Sequence, residues 1–179
     1  MDELIDIVDK NGRIRFQTTI KEACQKGLLH KAVNIIIVNT KGEIYLQKRS
    51  RGKPAYPLHW DISASEHLKS GENFKQAAHR GLMEELSIKT KLKRLRERHI
   101  QTSEFIKKGE KIIENELVEL YSGIYNRKIK INKEEVEQGK FTSLNNLKSR
   151  VGSKAIKLTP WAKDELSFLL NNLKLFKIF

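Results

Sequence analysis

Apolar and polar positions along this chain follow two periods, and the switches between them mark out the elements. Residues 5–8 and 14–16 read as short strands, and Asn11-Gly12 between them is a strong hairpin signal. Residues 19–25 predict a short helix that stops near Gly27. The β-branched apolar run 32–38 predicts a buried strand, and Lys41-Gly42 turns it into an alternating strand at 43–47. Phe74, Ala77, Ala78, Leu82 and Leu86 then recur at helical spacing, so 73–86 is an amphipathic helix with a buried stripe. Asn73 is placed to cap it, with Gln76 completing a capping box. A basic alternating stretch over 91–106 leads through a Lys107-Lys108-Gly109 turn into a long strand at 112–125. Residues 134–139 read as a turn region, Phe141 opens a short segment, and 144–150 predict a brief helix. Thr159-Pro160 is a helix start, threonine as cap and proline in the first position. That helix is expected to run to about residue 176, with Trp161, Leu166, Leu169, Leu170 and Leu173 inward. With no repeat, low-complexity tract or linker, 1–179 is read as one domain. Its core is expected at about 30–165, with the N-terminal hairpin and C-terminal helix packed on it.

Composition narrows the class. A chain of 179 residues with 39% hydrophobic and 32% charged residues can bury an adequate core. The single cysteine, Cys24, precludes an internal disulfide and suits a reducing interior. The acidic start Met1-Asp2-Glu3-Leu4 lacks the look of a signal peptide, and no apolar run approaches the roughly 20 residues of a membrane span. A cytoplasmic protein is expected. The net charge of +13 favours anionic partners. One basic cluster, 48–53, is expected to form a loop beside the site, where Lys48, Arg49, Arg51 and Lys53 would receive phosphates. A second, 91–98, reads as a solvated strand face. No aromatic-interleaved basic motif points to nucleic acid.

The candidate chemistry is acidic. Arg80 and Glu84 are i,i+4 neighbours able to pair, and Glu85 follows on a helix that is otherwise packed down. Clustered carboxylates suit hard divalent cations that leave coordination sites for a phosphate substrate. Glu114 and Glu116, two apart on the long strand, share one face and add two more. His30 stands just before the buried strand.

The stretch from Glu66 to Ile88 resembles the Nudix box, which runs Gly, five residues, Glu, seven residues, Arg-Glu-aliphatic-any-Glu-Glu-any-Gly-aliphatic. Glu72, Arg80, Leu82, Glu84, Glu85 and Ile88 match it, whereas Glu66, Gly81 and Ser87 replace a glycine, a glutamate and a glycine. Over roughly 3–165 the chain also resembles the isopentenyl-diphosphate isomerase-like branch of that superfamily. The matching runs are 29–33, 39–43, 46–50, Trp60-Asp61-Ile62-Ser63, His67, Glu114-Asn115-Glu116-Leu117 and Pro160-Trp161. The resemblance implies a Nudix-type α/β/α sandwich, an α+β fold with a mixed central sheet. It implies a divalent metal on His30, His67, Glu114 and Glu116, with Glu85 holding magnesium and Trp161 lining the substrate pocket. A further metal histidine of the isomerases falls near Ala23, and their catalytic cysteine falls at Ser65.

The expected activity is a Mg²⁺- or Mn²⁺-dependent hydrolase of a nucleoside-diphosphate-linked or other small diphosphate compound. In it Glu72, Arg80 and Glu84 belong to the catalytic group, and Glu84 and Glu85 also hold metal. The general base is unassigned because Gly81 removes the usual candidate, and two outcomes stay open for Glu66: it would crowd the metal or stand in for the lost carboxylate. Two alternatives stay open: an isopentenyl-diphosphate delta-isomerase-like enzyme, and a Nudix binding module with weakened turnover.

Overall fold

The computed structural model describes residues 3–152, 156–172 and 174. Strand β1 (Leu4–Val8) pairs antiparallel with β2 (Ile14–Thr19), and Gly12 takes the left-handed turn position between them at φ 78°. Helix α1 (Ile20–Lys26) is capped by the Thr19 hydroxyl and closed by Gly27 at φ 63°. Strand β3 (His30–Val38) is the hub of a nine-stranded mixed sheet. Its neighbours are β1, β4 (Ile44–Arg49), the short β6 (Ala64–His67) and, in parallel register, β8 (Glu110–Ile124). The two-residue β5 (Trp60–Asp61) adds to β4, and β7 (Lys93–Lys107) forms a long hairpin with β8.

Alternation along β3 sorts the core into two layers. Val33, Ile35 and Ile37 pack with Ala77, Ala78, Leu82 and Leu86 of α2 (Phe74–Leu86). Ile36 and Val38 pack on the other face with Trp161, Leu166 and Leu169 of α4 (Pro160–Asn171) and Leu147 of α3 (Leu144–Gly152). This is the expected helix–sheet–helix sandwich. The capping box of Asn73 and Gln76 forms as read, and Thr159 caps α4. Leu170 is only partly buried, and Leu173 and the expected helix end near 176 lie outside the described residues.

Three readings are corrected. Residues 136–142 are a strand, β9 (Val136–Thr142), paired with β4. Gly139 made this segment look like a turn. It is a glycine because the Tyr45 phenol lies across it and would collide with any Cβ. Lys48 and Arg49 belong to the end of β4 rather than to a loop, and Arg49 is buried. The basic face of β7 is not merely solvated. Arg94 and Arg98 pair with the buried Glu119, and Arg96 pairs with Asp164 and the fully buried Glu165.

Candidate metal centre and adjoining cavity

Register brings four predicted donors together. His30 opens β3, and Glu116 is its partner on β8, so the two side chains share a face. Glu114 lies two residues earlier on that face. His67 ends β6 opposite Ala32, two residues along β3 from His30 and again on that face. His67 Nε2 is 3.0 Å from Glu116 Oε1 and 3.5 Å from Glu114 Oε2. His30 Nε2 is 4.0 and 3.9 Å from the same two oxygens. All four donors lie within 4.8 Å of one another. Donors about 2.1 Å from one octahedral ion would stand about 3.0 Å apart in cis and about 4.2 Å apart in trans. The four histidine–glutamate separations, 3.0 to 4.0 Å, fall within that interval.

His30 is completely buried, and its Nδ1 donates to the Leu28 carbonyl at 2.8 Å. That bond fixes the tautomer and leaves Nε2 as a bare acceptor, and Nε2 has no hydrogen-bond partner. Burial and the neighbouring His67 hold its pKa below the ordinary value, so the ring is neutral. An orphaned imidazole lone pair facing two carboxylates fits a cation ligand. His67 behaves oppositely. Burial disfavours its charge, but hydrogen bonds to Glu114 and Glu116 outweigh that and lift its pKa to about 10. Glu114 is drawn down to about 2, because His67 outweighs the burial that opposes its charge. Without an ion, the proton on His67 balances the carboxylates.

The box residues gather in a second group, toward α2. Arg80 is its centre. Its Nε and Nη2 reach both oxygens of Glu72 at 3.0 and 2.9 Å, and Nη2 also donates to the His67 carbonyl at 2.8 Å. Its Nη1 meets Glu66 and, at 3.3 Å, Glu84. Glu84 is half exposed and outside the four-donor cluster. Glu85 is buried, accepts from Gln47 Nε2 at 2.6 Å, and is likewise outside that cluster. Burial and then the charge of Glu66 raise its pKa to about 8. Glu66 lies over Gly81: a Cβ added there would fall inside contact distance of the Glu66 Cγ. Glu66 thus occupies the space that a side chain at position 81 would take.

A cavity of about 670 Å³ opens onto both groups through Glu66, His67, Glu114 and Glu116. Arg49, Lys53 and Trp161 line it, whereas Lys48 and Arg51 do not. Arg49 donates to Asp61 at 3.1 Å and to the Ala55 carbonyl at 3.0 Å, and stands 5.2 Å over the Trp161 ring. Asp61 also accepts from Trp161 Nε1 at 2.7 Å and Thr159 Oγ1 at 3.1 Å. Asp61, Gln47, Lys21 and Cys24 of the cavity region carry no signal in the basic or acidic patterns of the sequence. Only the histidine lacking at Ala23 pointed toward α1. Ser65 donates to Asn34 Oδ1 at 2.9 Å, an amide oxygen rather than a histidine nitrogen. Another acidic group, His99, Asp164 and Glu165, is already bonded by Arg96 and Gln101.

A NUDIX domain model matches residues 28–162, which takes in the four-donor cluster and the group around Arg80. The chain belongs to the NUDIX family. Among its NUDIX relatives is isopentenyl-diphosphate delta-isomerase 2 of Photorhabdus laumondii, 31% identical over 174 residues, covering 94% of this chain and 93% of that one. A Nudix hydrolase of Listeria monocytogenes is 37% identical over 84 residues, 46% of this chain and 50% of that protein. In fold, DR0079 of Deinococcus radiodurans superposes with a TM-score of 0.73 at 16% identity, covering 93% of this NUDIX chain and 98% of its own. Among the described residues, no helix is long and apolar enough to cross a membrane.

Proposed function

We propose that the protein is a divalent-metal-dependent enzyme acting on a small diphosphate compound, and that its reaction is hydrolysis. The observation that carries this is the four-donor cluster opening onto a cavity with a basic wall. Carboxylates and a bare imidazole suit a cation, while Arg49, Lys53 and Lys21 on the same cavity suit an anion that the cation also binds. A diphosphate satisfies both. His30, His67, Glu114 and Glu116 would hold the ion; of Mg²⁺ and Mn²⁺, Mn²⁺ suits the two imidazoles better. When bound, such an ion neutralises phosphate charge and acidifies bound water. Arg49 is pre-set for its part, because Asp61 and the Ala55 carbonyl fix its guanidinium while Trp161 supports the plane. Trp161 and Phe105 give the cavity an apolar wall for the group carried on the diphosphate. Arg80 holds Glu66, Glu72 and Glu84 in one network, and Glu66 extends it into the cavity. Glu66 is our assignment for the carboxylate that positions water. We assign the activity to the cytoplasm, where the free Cys24 would stay reduced.

Hydrolysis is favoured over isomerisation at one residue. Moving a double bond needs an acid that can protonate an alkene. Ser65 stands where a thiol would serve, and its hydroxyl is committed to Asn34. The four-donor cluster and the full-length isomerase relative support the second reading, isopentenyl-diphosphate isomerisation. One panel separates the two. Nucleoside-diphosphate derivatives and isopentenyl diphosphate are incubated in deuterated buffer with Mg²⁺ or Mn²⁺ and followed by mass spectrometry. Phosphate-bond cleavage supports hydrolysis. Deuterium uptake into intact isopentenyl diphosphate without cleavage replaces it with isomerisation. No change in any compound removes both.

A further inference from the structure

Cys24 is the one cysteine in the chain, and α1 delivers it to the edge of the metal cluster. Ala23, its neighbour, turns inward and packs with Ile5 and Ile7. Cys24 faces the other way: it lines the cavity, and its Sγ is 3.3 Å from Glu114 Oε2. That oxygen is the one nearest to both histidines in the Glu114 carboxylate, 3.5 Å from His67 Nε2 and 3.9 Å from His30 Nε2. The orphaned, wholly buried His30 Nε2 marks the same place as a ligand position.

We propose that Cys24 is a fifth protein donor to the ion held by His30, His67, Glu114 and Glu116, and that its sulfur directs the site toward Zn²⁺, Co²⁺ or Fe²⁺ rather than Mg²⁺. The proposal rests on the reading of the four-donor cluster as a metal centre. Zinc-type ions bind oxygen at about 2.1 Å and sulfur at about 2.3 Å. With those bond lengths, an oxygen and a sulfur 3.3 Å apart subtend about 100° at a shared ion. That is a normal angle between adjacent ligands, so no rearrangement of α1 against β8 is needed. Coordination breaks the Cys24 S–H bond and the Nε2–H bond of protonated His67, forms the S–metal and N–metal bonds, and both protons leave to solvent. No electron is transferred. Two carboxylates and a thiolate on a dication leave one net negative charge. Lys21, Lys107 and Lys108 on the same cavity wall offset it. Thiolate and imidazole suit borderline-soft first-row ions, whereas Mg²⁺ keeps to oxygen. The chemistry thus separates this chain from a purely oxygen-and-nitrogen site.

The test is Co²⁺ titration of the full chain, read by absorption. Because the chain has a single cysteine, a sulfur-to-cobalt charge-transfer band in the near ultraviolet identifies Cys24 without any variant. We expect that band to rise together with the visible d–d bands and to saturate at one equivalent. In Cys24→Ser the d–d bands should persist, the charge-transfer band should vanish, and Zn²⁺ affinity by chelator competition should fall by at least about tenfold, the lower end of what even indirect ligand supports contribute. Visible bands without the sulfur band in the unaltered protein would overturn the cysteine ligand and leave the metal centre standing. Absence of all bands would overturn the metal centre and the cysteine ligand with it. A sulfur band that survives in His30→Ala with unchanged Co²⁺ affinity would place the thiolate–metal contact outside this cluster and overturn the proposal as well.

Discussion

Gly81 and Glu66 should show opposite signs of the same substitution, depending on each other. In the folded protein a Cβ at position 81 would overlap the Glu66 Cγ and lie 3.3 Å from its Cβ. The Glu66 side chain is not free to swing away, because its carboxylate is tied to Arg80, which is tied in turn to Glu72. Gly81→Ala in the unaltered protein therefore gains up to about 1 kcal/mol of helix propensity but incurs overpacking of about 1–3 kcal/mol. A net loss of roughly 1 kcal/mol is expected. With Glu66→Gly in place, the overlapping atoms are gone. Gly81→Ala should then stabilise by up to about 1 kcal/mol. The coupling across the cycle is about 2 kcal/mol, well above the roughly 0.5 kcal/mol scatter of additive pairs. Urea denaturation of the four proteins, at constant m-value, measures it. A coupling under about 0.5 kcal/mol would refute the account of the two positions as an exchange of one side chain for another. The same geometry bears on Gly81→Glu: alone it should not raise turnover, and it needs Glu66→Gly beside it.

Glu85 has a folded-state pKa near 8, raised by burial and by Glu66, so in the metal-free protein its contribution is full below the unfolded value and is lost as pH rises through about 8. Glu85→Gln should flatten that loss and leave the metal-free protein more stable than the parent at pH 9, by on the order of 2–4 kcal/mol; equal stabilities there would contradict a carboxylate whose charge burial disfavours. Asp61→Ala should cost about 3–5 kcal/mol in denaturant melts, since it strands the buried Arg49 and removes acceptors from Thr159 and Trp161. A loss under about 1 kcal/mol would show that Arg49 finds another partner. Asn73→Ala should cost about 1 kcal/mol by removing the cap on the Gln76 amide, with no change in metal affinity. A shift in metal affinity would place α2's first turn in the site.

Elements with a strong local period were legible. The α2 stripe, the Asn73 cap and the buried run of β3 needed only spacing and side-chain type. β5 and β6 were not, because two and four residues hold too little alternation to stand out. Yet β6 supplies His67 and Glu66, so part of the site depends on a pairing that only β3 dictates. Gly139 misled for a related reason: a glycine demanded by close approach of Tyr45 has the same local look as one demanded by a turn. The four donors were named from resemblance and from the i,i+2 spacing of Glu114 and Glu116. What sequence spacing could not supply was the parallel register that sets His30 beside Glu116. It also could not divide the acids. Glu114 and Glu116 meet the histidines, whereas Glu84 and Glu85 stay with α2.

If His30, His67, Glu114 and Glu116 form a working metal centre, crystals soaked in Mn²⁺ should show it by anomalous diffraction. One strong peak is expected within bonding distance of His30 Nε2, His67 Nε2 and the two glutamates, and it should be lost in His67→Ala. Peaks confined to Glu72, Glu84 and Glu85, or no peak at saturating Mn²⁺, would contradict it.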